Sequence, residues 1–163
     1  MKIAFVFPGQ GSQSVGMLDS FGGNATVESI VARASRALGQ DLAELIAKGP
    51  AEELDLTVNT QPTLLTASYA IYAAWRAAGG AEPALVAGHS LGEYTALVVA
   101  GAVELEDAVH LVRFRAQAMQ DAVPVGAGSM AAIIGLSDER VQQACSEAAQ
   151  GDVVGPANYN APL

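Results

Sequence analysis

The segment Gly88-His89-Ser90-Leu91-Gly92 fits G-x-S-x-G, the pattern of a serine carried on a sharp strand-to-helix turn. Its glycines clear the space a tight bend needs. Such a turn lifts the serine oxygen off the sheet and aims it along the following helix, whose free amide ends favour a developing oxyanion. The amide of Leu91 is then an expected oxyanion donor. The pattern points to covalent acyl chemistry at Ser90, although G-x-S-x-G also occurs by chance at ordinary strand-to-helix turns.

Serine needs a base to take its proton, and the sequence holds only two histidines. His89 neighbours Ser90, and adjacent side chains on an elbow diverge, so a supporting role, hydrogen-bonded beneath the turn, suits it better than that of base. His110 shares a helical face with Glu106, Asp107, Arg113 and Gln117 at i−4, i−3, i+3 and i+7, the polar, solvated side. The general base is therefore expected to be missing from this sequence.

Arg115 differs from Arg113. Its helical neighbours are Ala108, Leu111, Val112, Ala118 and Met119, which places it on the apolar face. A guanidinium there needs an anion, either a structural carboxylate or the carboxylate of a bound substrate held in a bidentate fork. Glu93 is the candidate structural partner, yet its place in the first turn of its helix also suits the helix dipole. Gln10 lies in the loop Pro8-Gly9-Gln10-Gly11-Ser12-Gln13 after the first strand, and in a parallel sheet that loop leaves the same edge as the Ser90 turn. The glutamine or its amide can reach an oxyanion. The loop has neither a GxGxxG fingerprint nor a Walker lysine, which disfavours a phosphate cradle.

The elements that must position these residues read as α/β. Ile3 to Phe7 is an unbroken apolar run, the signature of a parallel strand covered on both faces. Val27, Ile30, Val31, Ala34 and Leu38 repeat at helical spacing up to Gly39, and Leu42, Leu45 and Ile46 mark a shorter helix ending near Gly49-Pro50. Asn59 or Thr60 is expected to cap a helix with Pro62 in its first turn, running to Gly79-Gly80. A second strand is expected over Ala84 to Ala87, then helices over Glu93 to Ala102 and Glu104 to Ala122, the latter closed by Pro124. The small residues Gly126-Ala127-Gly128 set a boundary between 1–126 and 127–163. Beyond it a strand (Met130 to Ile134), a helix from Ser137 with Val141 and Ala144 facing inward, and a strand near Val153 to Asn158 are predicted. Such a sheet is too small to stand alone, so the chain is expected to stop within its second subdomain.

Composition narrows the classes. The 163 residues carry 8 basic and 17 acidic side chains, a net charge of −9, which leaves no basic patch for a nucleic acid. A lone Cys145 allows neither an internal disulfide nor a CxxC metal site and suits a reducing, cytoplasmic setting. The N-terminal apolar run is too short for a signal peptide, and the apolar stretch Leu64 to Ala78 falls short of a bilayer span.

With these residues in view, the sequence resembles the malonyl-CoA:acyl carrier protein transacylases and the acyltransferase domains of polyketide synthases. The resemblance rests on FVFPGQGSQSVGM (Phe5 to Met17), GPAEEL (Gly49 to Leu54), TQPTLLTAS (Thr60 to Ser68) and AGHSLGEYTALVVAG (Ala87 to Gly101). It continues through RFRAQAMQDAVP (Arg113 to Pro124), GSMAAIIGL (Gly128 to Leu136) and the closing NYNAP. It implies that Ser90 carries the acyl group as an ester between coenzyme A and the phosphopantetheine thiol of acyl carrier protein. It further implies that Gln10 and the Leu91 amide hold the oxyanion and that Arg115 pairs with the malonyl carboxylate. The implied fold is an α/β hydrolase-like parallel sheet with helices on both faces plus a small ferredoxin-like subdomain. No metal or redox cofactor is implied; the coenzyme A thioester is substrate. Family members are about twice this length, and the resemblance puts the catalytic histidine in the part this sequence lacks. A partner half-enzyme is thus expected. The rival readings are an α/β-hydrolase-type esterase and a non-catalytic fragment that binds coenzyme A or carrier protein.

Overall fold

The computed structural model describes residues 2–123 and 126–161. They form two compact units, Met1–Val125 and Gly126–Leu163. Met1, Pro124, Val125, Pro162 and Leu163 lie outside the described residues, and with them the expected helix stop at Pro124 and the end of NYNAP.

The first unit begins with strand β1 (Ala4–Phe7) and a single turn of 3₁₀ helix at Asp19–Phe21. Helix α1 (Ala25–Leu38) starts at Asn24, whose side chain accepts from the amides of Thr26 and Val27, and stops at Gly39 with φ 64°. Asp41 caps α2 (Leu42–Lys48) in the same way through the Glu44 amide. A short α3 (Ala51–Leu54) leads into α4 (Thr57–Ala77), followed by β2 (Leu85–Gly88), α5 (Leu91–Val99) and α6 (Leu105–Ala122).

Helix α4 lies at the centre, packed chiefly against α6 and α1. The shared core takes Val27, Ile30 and Val31 from α1, Leu64 and Leu65 from α4, and Val109 and Val112 from α6. Helix α4 begins at Thr57, not at Asn59 or Thr60, which places Pro62 inside the helix rather than in its first turn. It also buries Thr60, Gln61, Thr63 and Thr66 fully. Threonine hydroxyls make this tolerable by donating to carbonyls behind them: Thr63 to Asn59 at 2.7 Å and Thr66 to Pro62 at 2.7 Å.

Strands β1 and β2 pair in parallel, Ala4 opposite Leu85 through Phe7 opposite Gly88. Phe5 packs edge-on against Tyr72 of α4 and tilts towards Trp75. The opposite face stays open: Val6 is 75% and Leu85 60% exposed. Among the described residues, helices lie against one face of this pair. An unbroken apolar run signals the capacity to be covered twice, whereas only the Phe5–Phe7 side has helices against it here.

In the second unit the one regular element among the described residues is α7 (Asp138–Ala149), preceded by Ser137. The strands expected over Met130 to Ile134 and Val153 to Asn158 are not formed. Met130 is 78% and Ile134 90% exposed, and among the described residues these apolar stretches have no ladder partner. Helix α7 buries no residue either: Val141 is half-buried and Ala144 exposed, against the inward orientation expected of both.

Candidate active site

The strand-to-helix junction at Ser90 is built by close approach of main chains. A methyl group on Gly88 would stand 1.9 Å from the carbonyl carbon of Gly92, so this position admits only hydrogen. Ser90 itself adopts φ 52°, ψ −111°, a conformation that costs a non-glycine residue about 1–3 kcal/mol. Strain of this kind persists only where the surroundings enforce it. Although Ser90 is the N-cap residue of α5, its side chain makes no capping bond. Its Oγ faces outward and accepts a hydrogen bond from Arg115 Nη2 at 2.9 Å.

Arg115 reaches Ser90 from α6, half-buried between three groups. Nη1 donates to Gln61 Oε1 at 2.8 Å, and the guanidinium lies 5.6 Å from the centre of the Tyr94 ring. Gln61 is fully buried and its Nε2 donates onward to Met119 Sδ at 3.3 Å. Glu93 is exposed and forms no ion pair with Arg115; the ion pairs of the described residues are Arg33–Glu106, Lys48–Glu44 and Arg76–Glu82. Arg115 thus has no anionic partner among the described residues.

The loop after β1 comes to the same edge, as parallel pairing requires. Gly9 sits against His89, with space for no more than a tight contact between a methyl group and the His89 carbonyl oxygen at 3.0 Å. Gln10 Nε2 donates to Thr57 Oγ1 at 3.0 Å and Gln13 Nε2 to Asp55 Oδ1 at 2.8 Å, which fastens the loop to the start of α4. Leu91 is buried at the first position of α5, where an amide has no partner within the helix.

Neither histidine side chain is hydrogen-bonded to this cluster among the described residues. His89 is exposed, and its imidazole makes no hydrogen bond among the described residues, so the expected bond beneath the elbow is not formed. His110 is exposed on α6 as expected. Arg113 is a correction: its side chain turns inward and donates to Gln40 Oε1, while its buried Nε has no partner among the described residues. Burial pushes its guanidinium below the ordinary value. The sequence reading missed Gln61, Tyr94 and Thr57 as neighbours of the site. For Gln61 a signal existed, an uncharged polar residue inside a helix that otherwise faces the core.

A strained serine at the end of a parallel strand, a helix N-terminus behind it and an arginine that donates to its oxygen and has no carboxylate partner among the described residues thus meet at one edge. The chain belongs to the acyl transferase domain family, which it matches over residues 4–162. It is 58% identical over 162 residues to the malonyl CoA-acyl carrier protein transacylase of Escherichia coli (strain K12), covering 99% of this chain and 52% of that protein. The crystal structure of an acyl-carrier-protein S-malonyltransferase from Burkholderia pseudomallei 1710b superposes with a TM-score of 0.92 at 65% identity, covering 99% of this chain and 53% of that one. A malonyl-transacylase solved in complex with its type II PKS acyl-carrier protein superposes with a TM-score of 0.93 at 51% identity, again over 99% and 53%. The chain spans about half the length of the curated relatives it matches.

Proposed function

We propose that this chain supplies the nucleophile and the carboxylate-binding group of a malonyl-CoA:acyl carrier protein transacylase. In this reading Ser90 attacks the thioester carbonyl of malonyl-CoA, coenzyme A leaves as the thiol, and the malonyl-serine ester is then taken by the phosphopantetheine thiol of acyl carrier protein. The Leu91 amide and Gln10 stabilise the tetrahedral oxyanion. The Gln10 side-chain amide is already engaged with Thr57, so its backbone N–H is the better donor. Arg115 takes the free malonyl carboxylate, and His89 lines the approach to the elbow. The base that receives the Ser90 proton lies in the part of the relatives' length this chain does not span. No cofactor is needed; coenzyme A arrives as part of the substrate.

The observation that carries the reading is the Arg115–Ser90 contact. A half-buried guanidinium with no carboxylate partner among the described residues, 2.9 Å from a strained serine oxygen, fits an acyl group that ends in a carboxylate. An esterase has no use for that cation, which sets the hydrolase alternative behind the transferase one.

The finer fold belongs to the same proposal. Residues 1–126 correspond to a hydrolase-like subdomain whose open Val6–Leu85 face awaits cover, and residues 127–163 to part of a ferredoxin-like subdomain. Support for the latter is the order of its segments, two exposed apolar stretches flanking α7. No helix among the described residues is long and apolar enough to cross a membrane. Mass spectrometry of the denatured protein after brief exposure to malonyl-CoA tests the assignment. A malonyl adduct mapped to Ser90 and absent from Ser90→Ala is expected; an adduct that survives Ser90→Ala removes Ser90 from the mechanism.

A further inference from the structure

Arg115 bonds two acceptors that are fixed with unequal firmness. Gln61 is fully buried and held in turn by Met119, whereas Ser90 is exposed at the elbow. Both acceptors are neutral, and among the described residues no carboxylate pairs with the guanidinium. A carboxylate is a stronger acceptor for guanidinium N–H than a hydroxyl oxygen. A cation donating to a serine oxygen also ties up electron density that the oxygen needs for attack.

We propose that Arg115 holds Ser90 Oγ while the acyl pocket is empty and exchanges that bond for the carboxylate of the incoming acyl group, so that binding of the correct substrate itself frees the nucleophile. The inference rests on the reading of Arg115 as the carboxylate binder. The exchange breaks one Nη2–H···Oγ bond and forms one Nη2–H···O bond to the carboxylate; no proton changes owner. Nη1 stays on Gln61, whose burial and bond to Met119 keep the guanidinium in place while Nη2 changes partner. An acyl group ending in a methyl brings no acceptor and meets a serine still held. Discrimination then acts on the acylation step as well as on binding.

If a carboxylate must displace the hydroxyl, deleting the hydroxyl removes an opposing bond and the carboxylate binds more tightly. Malonamate is a suitable probe, because it has one carboxylate and an unreactive amide in place of the thioester. Calorimetric titrations of the full chain compare the unaltered protein with Ser90→Ala, Ser90→Gly and Arg115→Ala. Glycine accepts φ 52° without strain, so Ser90→Gly serves if the alanine variant does not fold. Both serine variants are expected to bind malonamate about three- to tenfold more tightly than the unaltered protein, with binding lost in Arg115→Ala. Equal or weaker binding by the serine variants, with Arg115→Ala still losing it, overturns the exchange and leaves the carboxylate reading standing. Binding that Arg115→Ala does not weaken, or none to any of the four proteins, overturns that reading and the exchange together.

Discussion

Gly92 abuts the main chain of Phe7: a methyl group on it would stand 2.1 Å from the Phe7 carbonyl oxygen. The contact joins the first residues of α5 to the end of β1 and so fixes where the helix N-terminus lies relative to the loop that carries Gln10. Because the clashing atom is backbone at a paired strand end, a side-chain rotation cannot relieve it. Gly92→Ala is expected to lower stability by at least about 2 kcal/mol, read from the urea midpoint. An unchanged midpoint would show that the elbow has slack the close contacts deny.

A bidentate pair joins α1 to α6: Arg33 Nε and Nη2 donate to the two carboxylate oxygens of Glu106 at 2.8 and 3.0 Å. The Arg33 hydrogen bond holds the Glu106 carboxyl below its ordinary value, against a smaller opposing effect of burial. With the folded-state value lowered, the unfolded chain binds the proton more readily, so the contribution is complete above the ordinary carboxylate range. It is lost as the pH falls from there through the lowered value. Both side chains are more than a third exposed, and solvent screening keeps the effect under about 1 kcal/mol. Glu106→Gln should therefore unfold slightly more readily than the unaltered protein at neutral pH and match it in acid. Parallel stability–pH curves would assign the pair no role.

Legibility followed the range over which each feature is determined. Helices α1, α2 and α6 were readable because their apolar periodicity and end signals, such as Gly39, are local and match the burial they produce. The start of α4 was not: Pro62 favours a first-turn position, but packing against α1 and α6 and the back-bonding threonines carry the helix through it. Met130 to Ile134 has strand composition, but a strand exists only with a partner, which no local pattern supplies. At the site, Ser90 and Arg115 were visible by motif and helical face. Gln61 showed only as a polar residue within a helix, and its contact with Arg115 spans 54 residues of chain, which no local pattern displays.

Arg115 should govern the choice between acyl groups. Arg115→Ala is expected to lower kcat/KM for malonyl-CoA in the active acyltransferase by about two orders of magnitude, the scale of a charge-assisted pair. Acetyl-CoA brings no carboxylate and should lose far less. Tyr94 and Gln61 would still shape the pocket, so Arg115→Lys, with a cation but no fork, should fall between. Steady-state kinetics with both thioesters decides it; equal losses would make Arg115 a structural residue.

Thr57 offers the sharpest test of the Gln10 loop. Its hydroxyl accepts from Gln10 Nε2 at 3.0 Å, while Gln13 bridges the Gly11 amide to Asp55 through bonds of 2.8 Å at each end. These bonds are exposed and contribute little to stability, yet they tie the loop that carries the Gln10 backbone N–H to the start of α4. An oxyanion donor acts on the tetrahedral state and not on the ground-state carbonyl, so its misplacement appears in kcat. Thr57→Val keeps the shape of the side chain and removes the acceptor. It should lower kcat about five- to tenfold with KM little altered and stability within about 0.5 kcal/mol, and Thr57→Ser should restore kcat. A rise in KM at constant kcat would place Gln10 in substrate binding instead, and no change in either would mean that Asp55 and Gln13 hold the loop without Thr57.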